Sequence, residues 1–162
     1  MSNTCSNLAS FFAPVQDAAT TLATEGSAVR MVSNTKEFSD PALADDPAIA
    51  LGLEVLAAAG MDAAGSQSTG VQFAYGIVES LRAAVEIGGD LDRVSLMQSI
   101  WNLDYVNPYL LDGVTVQTDG ANDAYVLEAA RVLEIVPSED FLTFNPISEL
   151  ISREGTTGSF SN

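Results

Sequence analysis

The stretch Ala124–Val136, AYVLEAARVLEIV, followed by PSED (137–140) and FLTF (141–144), decides the fold. Its alanines, leucines and glutamates are good helix formers. PSED, however, has the composition of a turn, and FLTF behind it reads as a returning strand. The expectation is therefore strand, turn, strand, giving a C-terminal strand pair. The residues beyond, REGTTGSFSN (153–162), have the makings of a frayed end.

Immediately upstream lies DGVTVQTDGANDAY (112–125). GVTVQT (113–118) alternates as a strand does. Asp119-Gly-Ala-Asn-Asp123 has the residue types of a calcium loop, so the spacing has to be tested. A helix–loop–helix calcium loop needs oxygen ligands at alternate positions, then a glycine, then a distal glutamate. Counting from Asp119, Ala121 offers no ligand and Ala124 stands where glycine is required. The liking of Asp, Gly and Asn for tight turns accounts for the same residues, and no metal ligand is assigned.

Further upstream, helices dominate. Asp46 before Pro47 is a helix start, with the acid capping free amides and proline in the first turn. IALGLEVLAAAG then runs to Gly60, and a looser MDAAGSQSTG (61–70) leads into GVQFAYGIVESLRAAVEIGG (70–89). In that helix Val71, Ala74, Val78, Leu81 and Val85 form one apolar stripe, Ser68 or Thr69 caps the start, and Gly88-Gly89 closes it. Phe73 and Tyr75 read as packing groups rather than a ligand platform. A further helix starts near Asp90 or Asp92 and should turn Val94, Met97, Ile100 and Trp101 inward, with its acids at the positive end of the dipole. NPY (107–109) breaks the pattern.

Near the N-terminus, the chain through LATEG reads as a loop and a short helix stopped at Gly26. SAVRMVS (27–33) follows as a strand, and TKEFSDPALADDP (35–47) as a polar connection. Strands and helices alternate, so the class is α/β, with a mostly parallel sheet and flanking helices. The length of 162 residues fits one domain with a real core.

Composition narrows the function. The 22 acidic residues against 6 basic ones, a net charge of −16, repel phosphate backbones and anionic lipid, so no nucleic-acid or membrane-surface partner is expected. The acids are dispersed, as on a well-solvated surface suited to a saline setting. No apolar run is long enough to span a bilayer, and Met1–Phe12 has neither the basic region nor the apolar core of a signal peptide. Histidine is absent, which excludes serine and cysteine triads and His-bearing zinc sites. Cys5 is the single cysteine, with no base or cation beside it to make it a nucleophile. GxGxxG, GxxxxGK[ST] and GxSxG are all missing. The chain is not read as an enzyme, and no cofactor is expected.

Four stretches, taken in order, carry a resemblance: TEGSAVRMVSNTKEFSDP (24–41), DDPAIALGLEVLAAAG (45–60), STGVQFAYGIVESLRAAVEIGGDLDRVSLMQSIWNL (68–103) and LLDGVTVQTDGANDAYVLEAARVLEI (110–135). Together they resemble the C-terminal half of a type I periplasmic binding protein, in particular the branched-chain amino acid receptors of ABC importers. The resemblance implies one partial domain over 1–162, part of a lobe of that fold, in a receptor whose two α/β lobes close on a solute and deliver it to a permease. A complete receptor is considerably longer and carries a first lobe and a leader. The chain is therefore expected to be a fragment whose helices leave apolar stripes uncovered and prone to association. By the same resemblance the location is the periplasm or, for a lipoprotein, the cell surface.

In that family the cleft contacts of this lobe fall at positions matching Asn3, Thr4, Cys5 and Ser6. No acid stands there to hold an ammonium group, which leaves hydroxyl and amide hydrogen bonding. Glu25, in the EG pair, is a further candidate ammonium partner, although its place just before a strand also suits a turn. Two other readings are an extracellular ligand-sensing domain of the same fold and an unrelated acidic enzyme working with carboxylates.

Overall fold

The computed structural model describes residues 21–22, 24–61, 66–120, 122–137 and 142–156. The segment that decides the fold is a strand. β4 (Ala129–Pro137) pairs antiparallel with β5 (Leu142–Pro146), Pro137 lying opposite Leu142, so the expected C-terminal strand pair is present. On its other side β4 pairs antiparallel with β1 (Val29–Ser33), Val29 opposite Ile135. The two-residue β6 (Ile151–Ser152) also pairs with β4.

Pairing overrides the helix propensity of this stretch. Leu133 and Ile135 alternate inward and meet Val29 and Met31 in one cluster, with Phe144 packed against it. Burying an aliphatic side chain stabilises by roughly 1.5–3 kcal/mol, well above the few tenths per residue that helix propensity contributes. The intervening Glu134 points outward to Arg30, directly opposite on β1, at 3.6 Å. This exposed cross-strand pair contributes little beyond register.

One expectation is corrected. The pairings of β1 with β4, β4 with β5 and β2 with β3 are antiparallel, where a mostly parallel sheet was expected. Four residues join β4 to β5, a hairpin length that cannot carry the crossover a parallel neighbour requires. The class is mixed α/β. Alternation of elements along the chain does not state in which direction a returning strand runs.

The chain divides into two compact units, Met1–Val71 with Ala130–Ile151, and Gln72–Ala129 with Ser152–Asn162. The first holds the sheet around β4, a 3-10 turn (Pro41–Leu43) and helix α1 (Pro47–Ala58). Asp46 caps α1 as expected: its Oδ1 accepts from the amides of Ala48 at 2.9 Å and Ile49 at 3.1 Å. Its Oδ2 accepts from Lys36 Nζ at 2.8 Å. Lys36 holds the carboxyl below the usual aspartate range, and the two amide bonds act in the same direction. Ile49, Gly52 and Leu56 form the buried face of α1. The glycine stops are also as expected: Gly26 and Gly60 have φ of +84° and +68°. Ser27 N–H closes back to Leu22 O at 2.9 Å, and Met61 N–H to Leu56 O at 2.9 Å.

The second unit contains most of α2 (Ser66–Gly88), then α3 (Arg93–Trp101) and the two-stranded sheet of β2 (Asp104–Tyr105) and β3 (Val116–Gln117). α2 starts ahead of the expected caps, so Ser68 and Thr69 lie buried in its first turn. Asp92 caps α3, its Oδ1 accepting from Val94 N–H at 2.7 Å and Ser95 N–H at 2.8 Å.

The facing of these two helices is the second correction. Val94 and Trp101, expected inside, are 64% and 58% exposed, and Met97 and Ile100 are exposed with them. The buried residues of α3 are Ser95 and Ser99. On α2 the stripe members Val78, Leu81 and Val85 are exposed, as is Phe73, while Ala84 is fully buried. The reason is close approach through small residues. A Cβ on Gly88 would lie 1.7 Å from Ser95 Oγ, and Ser99 Oγ donates to Ser80 O at 3.0 Å. Helices that meet through glycine, alanine and serine turn their bulky residues away from the contact. Among the described residues, no helix is long and apolar enough to cross a membrane.

Candidate functional site

Asn3, Thr4, Cys5 and Ser6 lie outside the described residues. Glu25 is exposed on the turn that ends at Gly26, and its backbone N–H donates to Thr21 O at 3.0 Å. Its side chain forms no hydrogen bond or ion pair with a described residue. The structure therefore places Glu25 as a turn residue.

The polar cluster that does form is in the second unit, beside the DGAND turn. Asp119 and Asp123 bridge to each other: Asp119 N–H donates to Asp123 O at 2.8 Å, and Asp123 N–H to Asp119 O at 3.1 Å. Asn122 Nδ2 donates to the Asp119 carboxylate at 3.3 Å, and Gly120 takes a φ of +49°. This is a tight turn, as its residue types predict.

The turn leaves the Asp123 carboxylate near two others. Asp123 Oδ1 accepts from Tyr125 N–H at 3.1 Å, an Asx turn that fixes its direction. Glu128 stands just before β4. Glu154 lies in a turn where Thr156 N–H donates to Arg153 O at 2.9 Å and Gly155 has φ +68°. Two bonds draw that turn onto Glu128: Arg153 N–H to Glu128 O at 2.8 Å, and Gly155 N–H to Glu128 Oε2 at 2.8 Å. As a result one oxygen from each of Asp123, Glu128 and Glu154 lies within 4.8 Å of the others.

The electrostatics of this trio are uncompensated. Among the described residues no Lys or Arg forms an ion pair with any of the three. Glu128 Oε1 is buried and has no hydrogen-bond partner. Burial first, then the charges of Glu128 and Asp123, push the Glu154 carboxyl up, against an opposing bond from Thr115. Acidic groups commonly cluster at a surface without a cation, so no metal centre is assigned to the trio.

A second cluster is aromatic. Tyr75 of α2 meets Tyr109 edge-on at 5.9 Å between centroids and Tyr105 at 6.4 Å. Gly76 permits this, since a Cβ there would lie 3.2 Å from the Tyr105 hydroxyl. Burial pushes both the Tyr105 and Tyr109 phenols up. Tyr75 is thus a packing group, as expected, whereas Phe73 is 57% exposed.

Sequence reasoning found Asp123 inside a stretch it singled out, and missed Glu128 and Glu154. No short-range motif links those two, because the contact is made by a backbone return from a distant turn. Compared with known proteins, the chain matches no family model, no curated protein and no solved structure.

Proposed function

We propose that the chain is part of the solute-binding component of an ABC importer, with branched-chain or related amino acids as ligands. In this reading it supplies the C-terminal part of a type I periplasmic-binding-protein architecture and delivers its solute to a permease, at the periplasmic or cell-surface side of the membrane. The observation that carries the reading is the mixed α/β class of the chain, which is compatible with part of an α/β lobe that a second lobe, outside this chain, would close upon by hinge motion. The order of the four stretches resembling that family adds support. So do the open apolar faces of α2 and α3, which a further lobe would cover. The polar segment Asn3–Ser6 is the proposed ligand contact, through hydroxyl and amide groups.

The test is titration calorimetry of the full-length protein containing this chain, with leucine, isoleucine and valine against charged amino acids as controls. Saturable binding of the branched-chain ligands at micromolar concentrations is expected. No heat and no rise in unfolding temperature at millimolar ligand overturns the reading.

A further inference from the structure

We infer that the layer formed by residues 101–106, 116–120 and 123–127 is a docking surface for a cationic amphipathic helix of a partner protein. Hydrogen bonds set the three stretches side by side, the N–H groups of the middle one alternating between its neighbours. Thr118 donates to Leu103 O at 2.9 Å and Gly120 to Trp101 O at 2.7 Å on one side. Gln117 donates to Val126 O at 3.4 Å and Asp119 to Asp123 O at 2.8 Å on the other. One face of the layer is buried through Leu103, Val116 and Thr118. By strand alternation Asp104, which lies opposite Gln117, shares the exposed face with Val106, Gln117 and Asp119. Val106 is 69% exposed, the highest value among the large hydrophobic residues described. Beside them Tyr125, Val126 and Leu127 are exposed in succession.

Exposed apolar groups rimmed by charge mark an interaction surface, and the charge decides among partners. From Val94 to Ala130 the chain carries five acids, Asp104, Asp112, Asp119, Asp123 and Glu128, and no lysine or arginine. Among the described residues Asp104, Asp119, Asp123 and Glu128 form no ion pair, and neither does Arg153, whose backbone meets Glu128. The compensating charge for this face therefore has to come from outside. Nucleic acid and anionic lipid are repelled by it. A second copy brings the same acids. A protein segment with Lys or Arg flanking an apolar stripe complements both the charge and the apolar groups. Three stretches spaced by about 4.8 Å make a layer roughly 10 Å wide, the width of one helix. A helix lying along it meets Val106 and Tyr125–Leu127 with its stripe and the acids with its flanks.

The experiment measures the fluorescence anisotropy of labelled helical peptides titrated with the intact chain. The probe peptide has a leucine stripe flanked by lysines. One control keeps the stripe and replaces lysine by glutamate; the other keeps the lysines and replaces leucine by alanine. Saturable binding of the leucine–lysine peptide alone is expected, weakening as salt is raised. Equal binding by either control overturns the proposal, since charge or stripe alone would then suffice. In the chain, Val106→Ser combined with Leu127→Ser should weaken binding by roughly 5–10-fold. Val32→Ser, at an exposed valine of β1 in the first unit, should leave it unchanged. Unchanged affinity in the double variant, or an equal loss in Val32→Ser, overturns the assignment of the surface. Self-association of the chain that competes with the peptide also overturns it, because a second copy would then be the occupant.

Discussion

In β4 the side chains that face inward are Leu133 and Ile135, while in α3 they are Ser95 and Ser99. Both segments carry a clear apolar pattern. β4 has a neighbour on each side, and its pattern is buried against Val29, Met31 and Phe144. α3 meets α2 through small residues, and its pattern, Val94, Met97, Ile100 and Trp101, is left in solvent. An apolar stripe thus specifies a face that needs a partner; it does not specify that a partner is present. Packing through serine and glycine is favoured where backbones approach closely, and it leaves the larger hydrophobic gain unused.

The contrast can be broken most severely at Leu133. Leu133→Ala should destabilise the first unit by about 2–5 kcal/mol in denaturant titration, by lost transfer energy and a residual cavity. A loss below about 1 kcal/mol would mean that the β4 face is not a packed core. Asp46→Ala comes next, at roughly 2 kcal/mol near neutral pH, since it removes a helix cap and takes away the carboxylate that the mostly buried Lys36 meets at 2.8 Å. Because Lys36 lowers the Asp46 carboxyl, that stability is present above the ordinary value of 3.8 and is lost as pH falls through the folded value. The penalty of the substitution should therefore shrink on acidification, and a penalty independent of pH would count against the ion pair.

Gly88→Ala tests the other side of the comparison. Its Cβ would collide with Ser95 Oγ and Cβ, at 1.7 and 2.6 Å, so a cost of about 1–3 kcal/mol is expected by thermal unfolding. No cost would show that α2 and α3 do not meet there. The smallest effect belongs to the double variant Met97→Ser, Trp101→Ser, which should change unfolding free energy by less than about 0.5 kcal/mol per site while reducing self-association in sedimentation velocity. A large loss of stability would show instead that this face is covered.

Several elements were legible because their physics is local. The Asp46 and Asp92 caps, the glycine stops and the Asp119–Asp123 turn each depend on residues within one helical turn of each other. The strand reading of Ala124–Val136 succeeded from Ala129 onward, where β4 begins, for a related reason: the turn residues behind it called for a hairpin, whatever its helix propensity; residues 124–128 lie outside the strand. The acidic trio was legible only at Asp123, since Glu128 and Glu154 meet through a backbone return that no spacing announces.

By itself, the sequence determined where elements start and stop, that the chain carries a real apolar core, and that its surface is strongly acidic. Strand direction, the buried face of each helix and the meeting of three carboxylates were decided only in the tertiary structure. Caps and turns are satisfied by near neighbours along the chain, whereas burial and pairing depend on which distant segment arrives and in what orientation.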